Sequence, residues 1–436
     1  MHIKSILFGL LLLLVNGYAL AFAPIKHWQS SQGGRVYFVK SEGLPMVDIR
    51  LLFDAGSARD GQQQGIASLT ARLLETGTGQ WDADQLAQQF DDVGARYSYD
   101  VVRDNAWLGL RSLTDTPLFD QALLAFQELA AQPQFAEADF QRIKSQVLIE
   151  LKQQQERPDV IAKKTFYQAL YGQHAYAHLE EGSLASVQAI TLADIKQFYQ
   201  QYYVLQNAML VIVGDMSEAQ ARQTADTLFS RLAQGTKAGS LAPVIALGKA
   251  KAEHIAFPST QTHVLAGLPV LSRNDADYFP LYVGNYTLGG SGLVSRLFEE
   301  IREQRGLAYS AYSYFLPLAK PGPFMLGLQT QNKQTELAIS VLKQTLNTFI
   351  DKGPTQAELE AAKKNLTGGF VLRFDNNRKL LNYVAMIGFY QLPLDYLETF
   401  QAKVSQVTVE DIKAAFQRRV HTQLLQVISV GGNGEL

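Results

Sequence analysis

The sequence predicts two similar α+β domains joined by a linker, and three observations carry that prediction. The first is an internal repeat. Thr191, Asp194, Ile195, Lys196 and Gly214 match Thr408, Asp411, Ile412, Lys413 and Gly431 at one constant offset of 217 residues. The second is the shared pattern of the two copies. Each opens on a capping box, with a threonine at the helix start and an acid three positions on. Each then passes through a helix into an apolar strand that ends at glycine. The third is the stretch Ala233 to Val244, where small residues, Gly235, Gly239 and Pro243 read as a linker. The expected organisation is a leader over 1–21, a domain over 22–235, a linker over 236–249 and a second domain over 250–436.

In the first half, Val36–Val39 and Met46–Phe53 read as strands. Helices are expected near 65–76 and 83–93, the second stopped by Gly94. Arg96–Val102 and Ala106–Leu113 read as further strands. Long helices are expected near 117–131 and 136–156, with Pro158 ending the second. In the second half, strands are expected near 254–258, 262–268, 308–315 and 323–330. Helices are expected near 275–287, 292–304, 333–350, 355–373 and 376–390.

The first 21 residues read as a secretory leader rather than as part of the fold. His2 and Lys4 precede the apolar run Ile6–Val15, and Ala19-Leu20-Ala21 matches an A-x-A cleavage site. The run is short for a membrane span, so export to the periplasm without a stable membrane anchor is expected. An uncleaved N-terminal anchor is the alternative. A net charge of −2 offers no basic surface for nucleic acid. The 436 residues contain no cysteine, which excludes disulfides, thiolate nucleophiles and cysteine metal sites.

The most informative stretch runs from Leu288 to Ser310 and contains Gly289, Gly290, Gly292, Ser295-Arg-Leu-Phe298, Arg302 and Gly306-Leu-Ala-Tyr309. Read on its own, it is a glycine-rich turn, a helix bearing Arg302, and a strand bearing Tyr309. Arg302 then caps a helix end and Tyr309 fills a strand core. A phosphate-loop reading of the glycines fails, because the lysine and serine or threonine of that motif are missing.

The stretch resembles the second-domain signature of M16 (insulinase or pitrilysin-like) peptidases. The resemblance extends over almost the whole mature chain, including Gly65-Ile-Ala67, Gly77-Thr78, Gly94 and Asn285 to Gly290. It implies the M16/LuxS-metallohydrolase-like fold, with each domain a mainly antiparallel sheet carrying helices on one side. It also implies that Arg302 and Tyr309 bind substrate carbonyls and stabilise the oxyanion at the scissile bond. A positioned donor of this kind contributes roughly 3 kcal/mol to transition-state stabilisation. The glycine loop (Gly289, Gly290, Gly292) and the strand segment Tyr97-Ser98-Tyr99 fall where the family holds peptide, the latter as an edge strand. An ordinary half-buried strand is the alternative for the latter.

The sequence departs from the family at the metal. A catalytic M16 subunit carries H-x-x-E-H on a first-domain helix, where two histidines bind zinc and the glutamate activates water. Here Ser68 and Arg72 stand at the histidine positions and Ala71 at the position of the base. A permanently protonated guanidinium has no lone pair to offer a metal. Glu150 stands where the third ligand is expected, and either pairs with Arg72 or faces solvent. His174 and His178, near Glu180 and Glu181, could form another zinc site on a helix, but Gly172 and Gly182 bracket them as a loop. The resulting expectation is a chain that binds no metal or cofactor of its own. It would lend Arg302 and Tyr309 to a zinc-bearing M16 subunit with H-x-x-E-H and act on peptides. A catalytically inactive peptide-binding or scaffold protein is the alternative.

Overall fold

In the computed structural model, which describes residues 24–432, the strands form two sheets. The first half supplies β1 (Lys26–Gln29), β2 (Arg35–Lys40), β3 (Met46–Phe53), β4 (Arg96–Val101), β5 (Ala106–Leu113) and β6 (Ala208–Gly214). The second half supplies β7 (Lys251–Ile255), β8 (Gln261–Leu271), β9 (Ala308–Phe315), β10 (Gly322–Gln331) and β11 (Gln426–Val430). The orders are β1-β2-β6-β3-β5-β4 and β7-β11-β8-β10-β9. With β1 set aside, the two topologies coincide strand for strand. Each contains one parallel pair, β2 with β6 and β7 with β11, and is otherwise antiparallel. β4 and β9 occupy equivalent edges, each paired on one side only.

The repeat seen in the sequence is the helix and the doubly buried strand of each half. Thr191 and Thr408 close capping boxes with Asp194 and Asp411. β6 is buried along its entire length, as a continuous apolar run requires. Its two faces belong to different cores. Leu210 and Ile212 meet helices of the first half, among them Ile66–Leu74, Thr116–Ala131 and Glu137–Gln154. Met209, Val211 and Val213 instead meet Leu381, Val384 and Ala385 of helix Asn377–Phe389, from the second half. The exchange is reciprocal. Helix Pro158–Tyr171 lays Ala162, Phe166 and Leu170 against Leu265, Met325, Ile428 and Val430 of the second sheet. Each sheet therefore carries its own helices on one face and a single helix of the other half on the opposite face. Burying each of the larger side chains here, the valines, leucines, isoleucines, methionines and phenylalanine, contributes roughly 1.5–3 kcal/mol.

Polar contacts also join the halves. Asp104, 3% exposed, sits in the turn between β4 and β5. Its carboxylate accepts hydrogen bonds from Tyr176, from the Tyr390 hydroxyl at 2.8 Å and from the Ala319 amide at 2.8 Å. The chain over 232–250 has no regular structure, yet it is held down. The Ala238 amide donates to Asn207 Oδ1 at 2.7 Å and Arg59 donates to the Gly239 carbonyl at 2.7 Å.

Four expectations need correction. Pro158 does not merely end a helix but opens the next one, where its missing N–H costs nothing. The helix expected over 292–304 is broken. Gly292–Val294 form a turn, Ser295 caps Arg296–Phe298, and Glu299–Glu303 continue as a wider π turn. The helix expected over 355–373 stops at Gly368. Tyr278–Asn285 begins three residues later than expected and ends in a second π turn over Tyr286–Gly290. The leader over 1–21 lies outside the described residues. Among the described residues, no helix is long and apolar enough to cross a membrane.

Candidate functional site

Helix Ile66–Leu74 buries Ile66, Leu69, Leu73 and Leu74 in the first core. That fixes the opposite stripe, where Ser68 and Arg72, four apart, are half-buried on one face. This is the face from which a metal motif would project. Ala71 is 1% exposed and presents only a methyl group. Arg72 donates from both terminal nitrogens to the two oxygens of Glu150 on helix Glu137–Gln154, at 3.1 and 2.9 Å. Burial disfavours the guanidinium charge, but the hydrogen bonds and charge of Glu150 outweigh it and raise the Arg72 pKa. Zinc does not fit these residues. The carboxylate is committed to a permanent cation, and no lone pair replaces the missing imidazoles.

Beside this pair stands a residue that the sequence reading missed. Glu75, one position past the helix end, accepts from the Tyr97 hydroxyl at 2.7 Å and from the Tyr99 hydroxyl at 3.4 Å. Burial, then Glu75, raises both phenols. Tyr97 is raised and Tyr99 is pushed up to about 12. The two rings on β4 thus turn inward, and Tyr97 packs on Phe90 at 5.0 Å between centroids. Ser98 faces the other way and is exposed. Both tyrosine hydroxyls are therefore engaged inside the fold, while β4 pairs with β5 on one side only.

In the second half, the structure brings Arg302 and Tyr309 together. The Arg302 guanidinium carbon lies 4.7 Å from the Phe298 ring centroid and 4.6 Å from that of Tyr309. Its Nε is 3.7 Å from Glu303 Oε1. This sandwich orients the guanidinium plane. Tyr309 is 81% exposed, so it is not a core residue. Tyr312 and Tyr314 stack along the same strand, 6.0 Å between centroids.

The three glycines divide by role. A side-chain carbon on Gly289 would lie 2.5 Å from the Ser313 amide nitrogen, and one on Gly290 would lie 2.8 Å from Asn285 Nδ2. Gly289 serves close packing against β9 and Gly290 against Asn285, which exchanges hydrogen bonds of 3.0 and 2.7 Å with Ser313 of β9. Gly292 has φ +62° and open space around it, and it turns Leu293 and Val294 outward. Arg296 anchors this segment through two bonds to Glu358, at 2.8 and 2.7 Å. Burial alone would raise the Glu358 carboxyl, but Arg296 and the Thr355 cap hold it down at about 2.

The alternative histidine site does not assemble. His174 Nε2 meets the Ala242 carbonyl at 2.9 Å, while His178 Nε2 meets buried Asp60 at 3.0 Å. Glu180 is taken by Arg103 at 2.6 Å. Among the described residues, no group of three or more His, Cys, Asp or Glu residues could hold a metal ion.

Fold and site together define a duplicated metallopeptidase scaffold with its metal chemistry replaced. Residues 35–181 match the family model "Insulinase (Peptidase family M16)", and residues 189–366 match "Peptidase M16 inactive domain". The chain is 30% identical over 428 residues to the "Non-peptidase homolog YmxG" of Helicobacter pylori, across 97% of this chain and 96% of that protein. It is 23% identical to the "Uncharacterized zinc protease YmxG" of Bacillus subtilis, across 94% and 99% of the two chains. A crystal structure described as a peptidase M16 inactive domain from Pseudomonas fluorescens superposes with a TM-score of 0.90 at 35% identity, covering 94% of this chain and 98% of that one. The chain belongs to the M16 peptidase family.

Proposed function

We propose that this chain is the zinc-free subunit of a heteromeric M16 peptidase in the periplasm. In this reading a partner subunit supplies H-x-x-E-H and its zinc, and this chain supplies Arg302 and Tyr309. Peptide adds as a strand to a sheet edge, and the two side chains bind its carbonyls and the developing oxyanion. The carrying observation is the contrast between the two sites. Arg72 is locked onto Glu150, whereas the Arg302 and Tyr309 pair is preorganised and Tyr309 is 81% exposed. The leader expected over 1–21 from the sequence is what supports the location.

The test is reconstitution. The mature chain alone should cleave no peptide. Mixed with an exported M16 chain carrying H-x-x-E-H, it should give an activity that chelators abolish. Peptidase activity from the purified chain alone, with bound zinc, would overturn the proposal. A second reading, an inactive peptide-binding or scaffold protein, is favoured by the name "non-peptidase homolog" of the Helicobacter pylori relative. It predicts peptide binding with no gain of activity on mixing.

A further inference from the structure

A cavity of about 340 Å³ between the two halves takes no part in the peptidase reading. Its charge is lopsided. Arg35, Arg59, Lys237, Arg273 and Lys320 line it, against two carboxylates, Asp54 and Asp104. Both carboxylates are already committed. Asp54 receives Arg59 at 2.8 and 2.7 Å. Asp104 accepts from Tyr176, Tyr390 and the Ala319 amide.

Among the described residues, none of the other four cations is paired with a carboxylate. The Arg273 guanidinium lies over the Tyr390 ring at 5.2 Å, and its buried Nε has no hydrogen-bond partner. Among the described residues, neither Arg273, Lys237 nor Lys320 has an ion-pair partner. Arg35 spends one N–H on the Gly388 carbonyl at 3.3 Å. Gathering like charges in a concave, partly apolar setting focuses their field and disfavours the site when it is empty. A multiply charged anion relieves that cost. The volume suits a small molecule.

We propose that this cavity binds a small oxyanion of two or more charges, either a phosphate-bearing compound or a polycarboxylate. Arg273 and Lys320, from the second half, and Lys237, from the linker, provide the charge. The bound anion therefore bridges the halves and stabilises their arrangement by mass action.

The test is calorimetric titration of the mature full-length chain in low salt, with sodium pyrophosphate and, separately, trisodium citrate. One saturable site per chain is expected for at least one anion, with a matching rise in melting temperature. Pyrophosphate alone assigns the phosphate class, citrate alone the polycarboxylates, and both a site that reads charge. R273Q and K320Q should each weaken binding about tenfold, the scale of a lost charge-assisted hydrogen bond. K352Q, on a different surface, should leave it unchanged. Circular dichroism checks folding, and exposed K237Q serves as a third variant if either of the others unfolds. No saturable binding of either anion, or equal binding by folded R273Q, K320Q and wild type, would sink the proposal.

Discussion

The guanidinium of Arg72 grips both carboxylate oxygens of Glu150, at 3.1 and 2.9 Å. One covalently attached cation thus holds this carboxylate on the helix face where the resemblance to M16 peptidases expects metal ligands. The substitution is local, because helix Ile66–Leu74 still buries its apolar stripe and still presents residues 68 and 72 side by side.

Restoring the ligands should therefore restore the metal. S68H/A71E/R72H recreates H-x-x-E-H beside Glu150, and elemental analysis should find about one zinc per chain. A folded triple variant that stays metal-free would show that these positions no longer converge.

Tyr309→Phe removes one hydroxyl from a residue that is 81% exposed. The stability change should stay within about 0.5 kcal/mol. In the reconstituted heteromer, kcat should fall by about 100-fold with KM little changed, as for loss of an oxyanion donor. An unchanged kcat would remove Tyr309 from the reaction.

Glu358 links pH to the stability of the second half. Its folded carboxyl is held at about 2, against 4.5 for the free group. A depressed carboxyl contributes stability in full above about 4.5, and that contribution is lost as pH falls toward about 2. Calorimetric melting of wild type and E358Q should show a gap at neutral pH that closes through this window. A gap independent of pH would contradict the assignment.

Asp104→Ala strips the acceptor from Tyr176, Tyr390 and the Ala319 amide at once. Tyr176 is fully buried and Tyr390 half-buried, so each hydroxyl left unpaired costs about 1–3 kcal/mol, whereas the amide of exposed Ala319 can turn to water. Urea unfolding should show a loss of about 2 kcal/mol or more. A loss under 1 kcal/mol would mean that the junction between the halves does not depend on this carboxylate.

Much of this architecture is legible from local chemistry. Thr191 and Thr408 announce their helices because the cap and its acid are close in sequence, and β6 announces its burial by an unbroken apolar run. The exchange of helices is not legible. Met209 and Val384 are far apart in the chain, and either could face an ordinary core. Pro158 misleads because proline is tolerated as a first helical residue as readily as it stops the preceding helix. At the site, only the resemblance to M16 peptidases singles out Ser68, Ala71 and Arg72, because a serine, an alanine and an arginine carry no metal signal of their own. Glu75 is not legible, since its partners Tyr97 and Tyr99 lie 22 and 24 positions on, beyond the helix Ala83–Asp91. Glu358 carries a signal after all: it completes a capping box with Thr355, and only its second role, on Arg296, needs the fold.

The crossed helices impose an order of events during synthesis. Met209, Val211 and Val213 are made long before Leu381, Val384 and Ala385, the residues that cover them. Until the chain has grown past Phe389, the first sheet keeps one oily surface open to water. A growing chain in that state calls for a chaperone. A stop or cleavage within the second half would leave a first half that aggregates instead of surviving as a free-standing fragment.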